Sequence, residues 1–288
     1  MEPVSKRLKG AHGLELHVLE WSTEGVPMLL LHGFGNEAHL WDDFAPLVAP
    51  SYRVIAVDQR GHGDSDHDPE RRYDTEDMAD DVEALTEALG IDRLVVIGFS
   101  MGGRVATTFA GRHPDRMAGL VLVDIGPEVD PRGSTRIQSE VSEDRTPRFE
   151  SIEQYAQLLS LNYPAGQREA LLRMARYGLR EGEDGRFELK IDPVLRGVGV
   201  DEPPADVLAA LEAKRTKSMW EALGRLPCPT LVVRGAASDI LSPEIAEKMV
   251  DEVLKNGHLE VVAQAAHSVA TDNPEGFAKA VCDFVLAD

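Results

Sequence analysis

The pentapeptide Gly98-Phe99-Ser100-Met101-Gly102 sets a hydroxyl between two glycines, directly after the apolar run 94–97 and ahead of a helical pattern over 105–112. Glycines at these places let a strand and a helix approach around a sharp turn that side chains would obstruct, and the turn pushes the serine oxygen into the open. The helix N-terminus behind it favours developing negative charge. Such a serine suits attack on a carbonyl. A hydroxyl is a poor nucleophile unaided, so the chemistry also asks for an imidazole to take its proton and a carboxylate to orient that imidazole. The oxyanion formed by attack needs preorganised N–H donors, and the helix-start N–H of Met101 is one.

Those groups must be held by the elements around them. Residues 14–21 alternate as a half-buried strand, after an opening segment ending at Gly13. Short apolar runs follow at 27–31, 52–57, 94–97, 120–123, 230–233 and 259–262. Between them Leu40, Trp41, Phe44, Leu47 and Val48 recur at helical spacing. Residues 75–89 form an amphipathic helix marked by Met78, Val82, Leu85 and Leu89, and further helices fit 243–254 and 274–286. Short strands alternating with helices imply an α/β fold whose mostly parallel sheet is covered on both faces. Right-handed crossovers then collect the loops that follow the strands on one edge of that sheet. Residues 127–222 break the rhythm: a very polar start, then helical patterns around 152–159, 168–177, 207–211 and 219–223, with no strand alternation. They are expected to form a helical cap inserted into a core domain of residues 1–126 and 223–288.

Composition narrows the function. Fifty acidic against 30 basic side chains leave a net charge of −20, which repels phosphate backbones and anionic lipid surfaces. No apolar run is long enough to span a membrane, and the start of the chain has no signal-peptide pattern. The expectation is a soluble cytoplasmic protein, monomeric or homodimeric, acting on a small molecule. Cys228 and Cys282 sit beside apolar residues and read as free thiols. Asp64, Asp66 and Asp68 open like a calcium loop, but Pro69 stands where its glycine belongs and Thr75 where its glutamate does. His62, His67 and the nearby aspartates lack a zinc spacing. No cofactor or metal is expected.

The chain resembles the α/β-hydrolase superfamily over nearly its whole length, in the branch with a serine nucleophile and a helical cap. His32-Gly33-Phe34-Gly35 looks like the family's oxyanion loop after the third strand. Residues 58–65 (Asp-Gln-Arg-Gly-His-Gly-Asp-Ser) match its turn after the fourth, Gly98–Gly103 its elbow, and Ala266-His267 its last-strand loop. The resemblance implies Ser100 as nucleophile, His267 among the nine histidines as base, and the N–H groups of Phe34 and Met101 as oxyanion donors. Two carboxylates compete to orient His267. Asp239, in Gly235-Ala236-Ala237-Ser238-Asp239, matches the family's usual acid and is favoured here. Asp124, after the strand that follows the nucleophile, occupies the place some relatives use instead. His32 and His62 belong to motif turns and read as structural.

The expected activity is hydrolysis of carboxylic esters of small, largely apolar molecules through an acyl-enzyme, as in carboxylesterases. Relatives that open lactones, cleave carbon–carbon bonds or use peroxide as perhydrolases (cofactor-free haloperoxidases) share the same triad. A small-molecule receptor on the same fold is the reading from a different class. Trp41, Trp220, Ile240, Leu241 and Val269, near the site in sequence or apolar beside it, are expected to wall the substrate pocket.

Overall fold

Apolar runs bounded by turn residues become strands, and the amphipathic stretches between them become the helices that cover the sheet. A computed structural model describes residues 2–201 and 203–287. The strands are β1 Val4–Lys9, β2 Glu15–Glu20, β3 Val26–Leu31, β4 Tyr52–Val57, β5 Leu94–Phe99, β6 Met117–Val123, β7 Arg148–Phe149, β8 Leu179–Glu181, β9 Phe187–Leu189, β10 Thr230–Gly235 and β11 Gly257–Val262. The helices are α1 Ala45–Val48, α2 Thr75–Ala88, α3 Met101–Arg112, α4 Pro131–Glu143, α5 Ile152–Asn162, α6 Arg168–Gly178, α7 Ala205–Arg225, α8 Pro243–Lys248, α9 Val269–Asp272 and α10 Pro274–Val285.

An eight-stranded sheet runs in the order β1-β2-β4-β3-β5-β6-β10-β11. The pairs β1/β2 and β2/β4 are antiparallel and all others parallel. The segment before Gly13, read only as an opening stretch, pairs along β1 as an edge strand. Its mostly exposed residues hide the alternation. All six positions of β5 and of β10 are buried, as expected of strands covered on both faces. Their side chains alternate between two cores. Leu94 and Val96 face Val82 and Leu85 of α2 and Phe109 of α3. Val95 and Ile97 face Val48 of α1 and Phe277 and Val281 of α10. Because β5, β6, β10 and β11 are parallel neighbours, their C-terminal ends share one edge.

The insertion between β6 and β10 differs from the sequence expectation in three ways. Its polar start folds as α4, opened by Asp130, whose carboxylate accepts the Arg132 N–H, and by proline at the first turn. Strands β7, β9 and β8 form a small antiparallel sheet. Two or three residues each are too few to show a period of two. The two C-terminal helical patterns are one helix, α7, and it runs through the expected boundary at 222/223. Leu223, fully buried, joins the core layer beside Phe109 of α3, so the last turn of α7 belongs to the core. Among the described residues no helix is long and apolar enough to cross a membrane, and Cys228 and Cys282 are free.

Candidate active site

Ser100 links β5 to α3 with φ +51° and ψ −115°. A non-glycine residue in this region carries strain on the order of 1–3 kcal/mol, retained only where its surroundings enforce it. The enforcement is close packing. A Cβ on Gly98 would run into the Gly102 carbonyl and the Gly103 backbone, and one on Gly102 into the carbonyls of Leu31 and His32. Ser100 is therefore presented at the edge where the loops gather.

His267, in the loop after β11, reaches Ser100 Oγ with Nε2 at 3.0 Å. Its Nδ1 lies 2.9 Å from Oδ2 of Asp124, in the loop after β6. With Nδ1–H donating to the carboxylate, Nε2 is left as the acceptor for the serine proton. Asp124 is fully buried, so its charge must be met inside the protein. Oδ1 accepts the Gly235 N–H at 3.0 Å, and Oδ2 also accepts the Ser238 hydroxyl at 2.5 Å.

The favoured acid of the sequence reading, Asp239, forms no hydrogen bond or ion pair with His267. Ser238 Oγ accepts the N–H groups of Ile240 and Leu241, forming a turn that directs Ser238 inward to Asp124. Asp239 instead faces the insertion. It takes a bidentate pair from Arg136 of α4, Nε to Oδ2 at 2.7 Å and Nη2 to Oδ1 at 3.0 Å. The Arg136 guanidinium holds the Asp239 carboxyl below the usual carboxylate range.

The N–H groups of Met101, at the start of α3, and Phe34, after β3, donate to no protein acceptor among the described residues, and Phe34 lines the cavity at Ser100. The loop bearing Phe34 is braced by fully buried His32: its Nδ1 pairs with the Gly33 carbonyl at 2.7 Å, and the Gln59 N–H donates to its Nε2 at 3.0 Å. Burial lowers the His32 pKa, and burial beside His32 lowers that of His62 to about 3, so both rings stay neutral supports. The His62 ring meets His32 edge-on at 5.1 Å and Phe34 at 5.9 Å.

A cavity of about 120 Å³ opens over Ser100 and His267. The insertion supplies much of its wall, including Arg136, Tyr155, Leu159, Asn162 and Arg196. The cavity's apolar wall comes from Phe34, Phe99, Ile137, Leu158, Leu159 and Met174, and the five residues expected to wall it lie elsewhere. Trp41 is fully buried against Phe277 with ring centres 6.0 Å apart, and Val269 lies in the same core layer. Ile240 and Leu241 are buried in the opposite core. The Trp220 indole donates to Glu128 and lies under Lys248. Proximity in sequence misleads here because neighbouring side chains in a turn point to opposite sides. The polar wall residues gave no periodic signal to find them by.

Among the described residues, two clusters of one histidine and two aspartates have metal-ligand spacing, His17/Asp58/Asp64 and His12/Asp77/Asp80. In the first, both imidazole nitrogens are occupied, by Asp58 and Ser5 at 2.8 Å each, and Asp58 accepts the Ala38 and Asp64 N–H groups. That geometry is a structural brace, and neither cluster lines the cavity at Ser100.

A doubly covered, mostly parallel sheet that presents a strained serine at a strand–helix turn, with a histidine against it, defines a hydrolase class. A family model described as alpha/beta hydrolase fold matches residues 26–145, and the chain belongs to the α/β-hydrolase superfamily. It is 31% identical over 276 residues to the pimeloyl-[acyl-carrier protein] methyl ester esterase of Sodalis glossinidius, covering 92% of this chain and 97% of that protein. It is 28% identical over 269 residues to the 2-(acetamidomethylene)succinate hydrolase of Mesorhizobium japonicum, covering 91% and 89% of the two chains. The crystal structure of an E-2-(acetamidomethylene)succinate hydrolase matches with a TM-score of 0.84 at 26% identity, covering 99% of this chain and 100% of that one. The protein is a hydrolase.

Proposed function

We propose that the chain hydrolyses carboxylic esters of small molecules through an acyl-enzyme on Ser100. The observation that carries this reading is the line of contacts Ser100–His267–Asp124, 3.0 Å and 2.9 Å long, opening onto a cavity. His267 Nε2 takes the hydroxyl proton as Ser100 Oγ attacks the carbonyl carbon. Buried Asp124 stabilises the imidazolium and keeps its ring oriented. The N–H groups of Phe34 and Met101 receive the oxyanion in a site that needs no reorganisation. As the tetrahedral intermediate collapses, His267 gives its proton to the leaving alkoxide. It then draws a proton from water, which attacks the acyl carbon and frees Ser100.

Kinship supports this reading only in kind: the Sodalis relative is an esterase by name. The test is hydrolysis of p-nitrophenyl esters of graded acyl length, run beside a lactone. Turnover of esters by the wild type and its loss in Ser100→Ala are expected. Ester turnover that survives in Ser100→Ala would overturn the proposal.

A further inference from the structure

The catalytic cavity carries arginines in its wall although the molecule is acidic. The chain carries a net −20, yet the charged side chains described in the cavity wall are Arg136 and Arg196, beside His267. Arg136 is already matched by Asp239. Arg196 is different. It ends the short 3-10 turn Pro193–Arg196 after β9, and its two hydrogen bonds go to main-chain carbonyls, Nε to Arg145 at 3.1 Å and Nη2 to Asp144 at 2.7 Å. Among the described residues it forms no ion pair. Burial lowers its pKa, with the Tyr155 phenol and the Asp144 carboxylate nearby acting the other way. It also lines a second, adjoining cavity of about 30 Å³ together with Glu37. No ion pair joins that carboxyl to Arg196 among the described residues, and burial, with Asp58 nearby, pushes it well above the usual carboxylate range. Tyr155 shares both walls, and burial raises its phenol to about 12, so it remains a neutral donor.

A partly buried guanidinium held by two carbonyls still has N–H groups to offer in a planar fork suited to a carboxylate. Resting on the ester-hydrolase reading, we propose that the substrate is an acyl compound bearing a second, ionised carboxylate, and that Arg196 binds that carboxylate while Ser100 attacks the ester carbonyl. The positive wall would draw such an anion in against the field of an acidic protein. It would also select against neutral esters of equal length, which leave the guanidinium uncompensated.

The experiment compares mono-p-nitrophenyl esters of glutaric, adipic and suberic acid with the p-nitrophenyl esters of valeric, hexanoic and octanoic acid. At the best length, kcat/KM for the charged ester should exceed that of its neutral partner at least tenfold. Arg196→Gln should lower that ratio at least tenfold, mainly through KM, and Arg196→Lys should restore part of it. A wild type that favours the neutral partner at every length overturns the proposal. So does an Arg196→Gln variant that slows both members of each pair alike, since Arg196 would then only clamp the backbone of residues 144–145. If no ester is hydrolysed, the ester reading fails by itself, and titration calorimetry with glutarate and adipate decides the anion site. Binding by the wild type that Arg196→Gln loses supports the site, and no binding by the wild type refutes it.

Discussion

Asp124 and Asp239 lie at the ends of adjacent parallel strands, yet they belong to two differently built regions. Asp124 is dry and is met by a main-chain N–H, a serine hydroxyl and His267. Asp239 is about a third exposed and is met by one long side chain from the insertion. The contrast extends beyond these two residues. The core edge holds its groups with backbone hydrogen bonds and close packing. The insertion meets the core through main-chain bonds such as Asp192 N–H to the Gly61 carbonyl and through α7 packed on α3, but also through part-exposed ion pairs such as Arg104–Glu212, Lys190–Asp64 and Arg173–Asp43. Exposed pairs of this kind contribute only about 0–1 kcal/mol each.

Several substitutions would break or sharpen that contrast. Ser100→Ala should cut kcat by about 10⁴–10⁶-fold, because serine and base act as a unit. Asp124→Asn should cost about 10⁴-fold in kcat, since an amide no longer holds His267 in the acceptor tautomer. Asp239→Asn should leave kcat within about tenfold. Steady-state kinetics on one ester compares the three, and the reverse order for the two aspartates would move the orienting acid back to the loop after β10. Gly98→Ala should destabilise the core edge by about 1–3 kcal/mol through overpacking, read as a lower urea midpoint.

The pH dependence follows from His62, whose pKa falls from the usual 6.5 to about 3. Between those values the unfolded chain binds a proton that the folded one refuses. Its contribution is therefore intact above pH 6.5 and declines as pH falls toward 3, by up to about 1.4 kcal/mol per unit. His62→Phe should flatten that slope in a series of denaturation curves, and an unchanged slope would deny the histidine this part. The smallest effect is expected in the insertion: Asp239→Asn should change stability by less than about 1 kcal/mol, because the pair it breaks is partly exposed.

The core was largely legible because its signals are local. Runs of β-branched and aliphatic residues mark β5, β6 and β10, and Met78, Val82 and Leu85 mark α2 at a period only a helix satisfies. The insertion was legible as helical but not in detail. Helix α4 lies in a stretch too polar to show an apolar face, although Asp130-Pro131 was a start signal in plain view. Strands β7, β8 and β9 are shorter than any period can reveal.

The amino-acid order by itself marked the turn that presents Ser100. Gly98, Ser100 and Gly102 are contiguous, and the strain they share is a property of one turn. It also determined the sheet class, which follows from apolar spacing, and it put His267 after the last strand. Only the tertiary structure decided which aspartate lies against His267. The choice turns on the Ser238 hydroxyl, which meets Asp124 from 114 positions along the chain and in doing so turns Asp239 outward to Arg136. It alone placed Arg196 in the wall opposite a serine from another region of the chain. Local backbone geometry is written in adjacent residues, but the field in a cavity is the sum of groups that folding brings together.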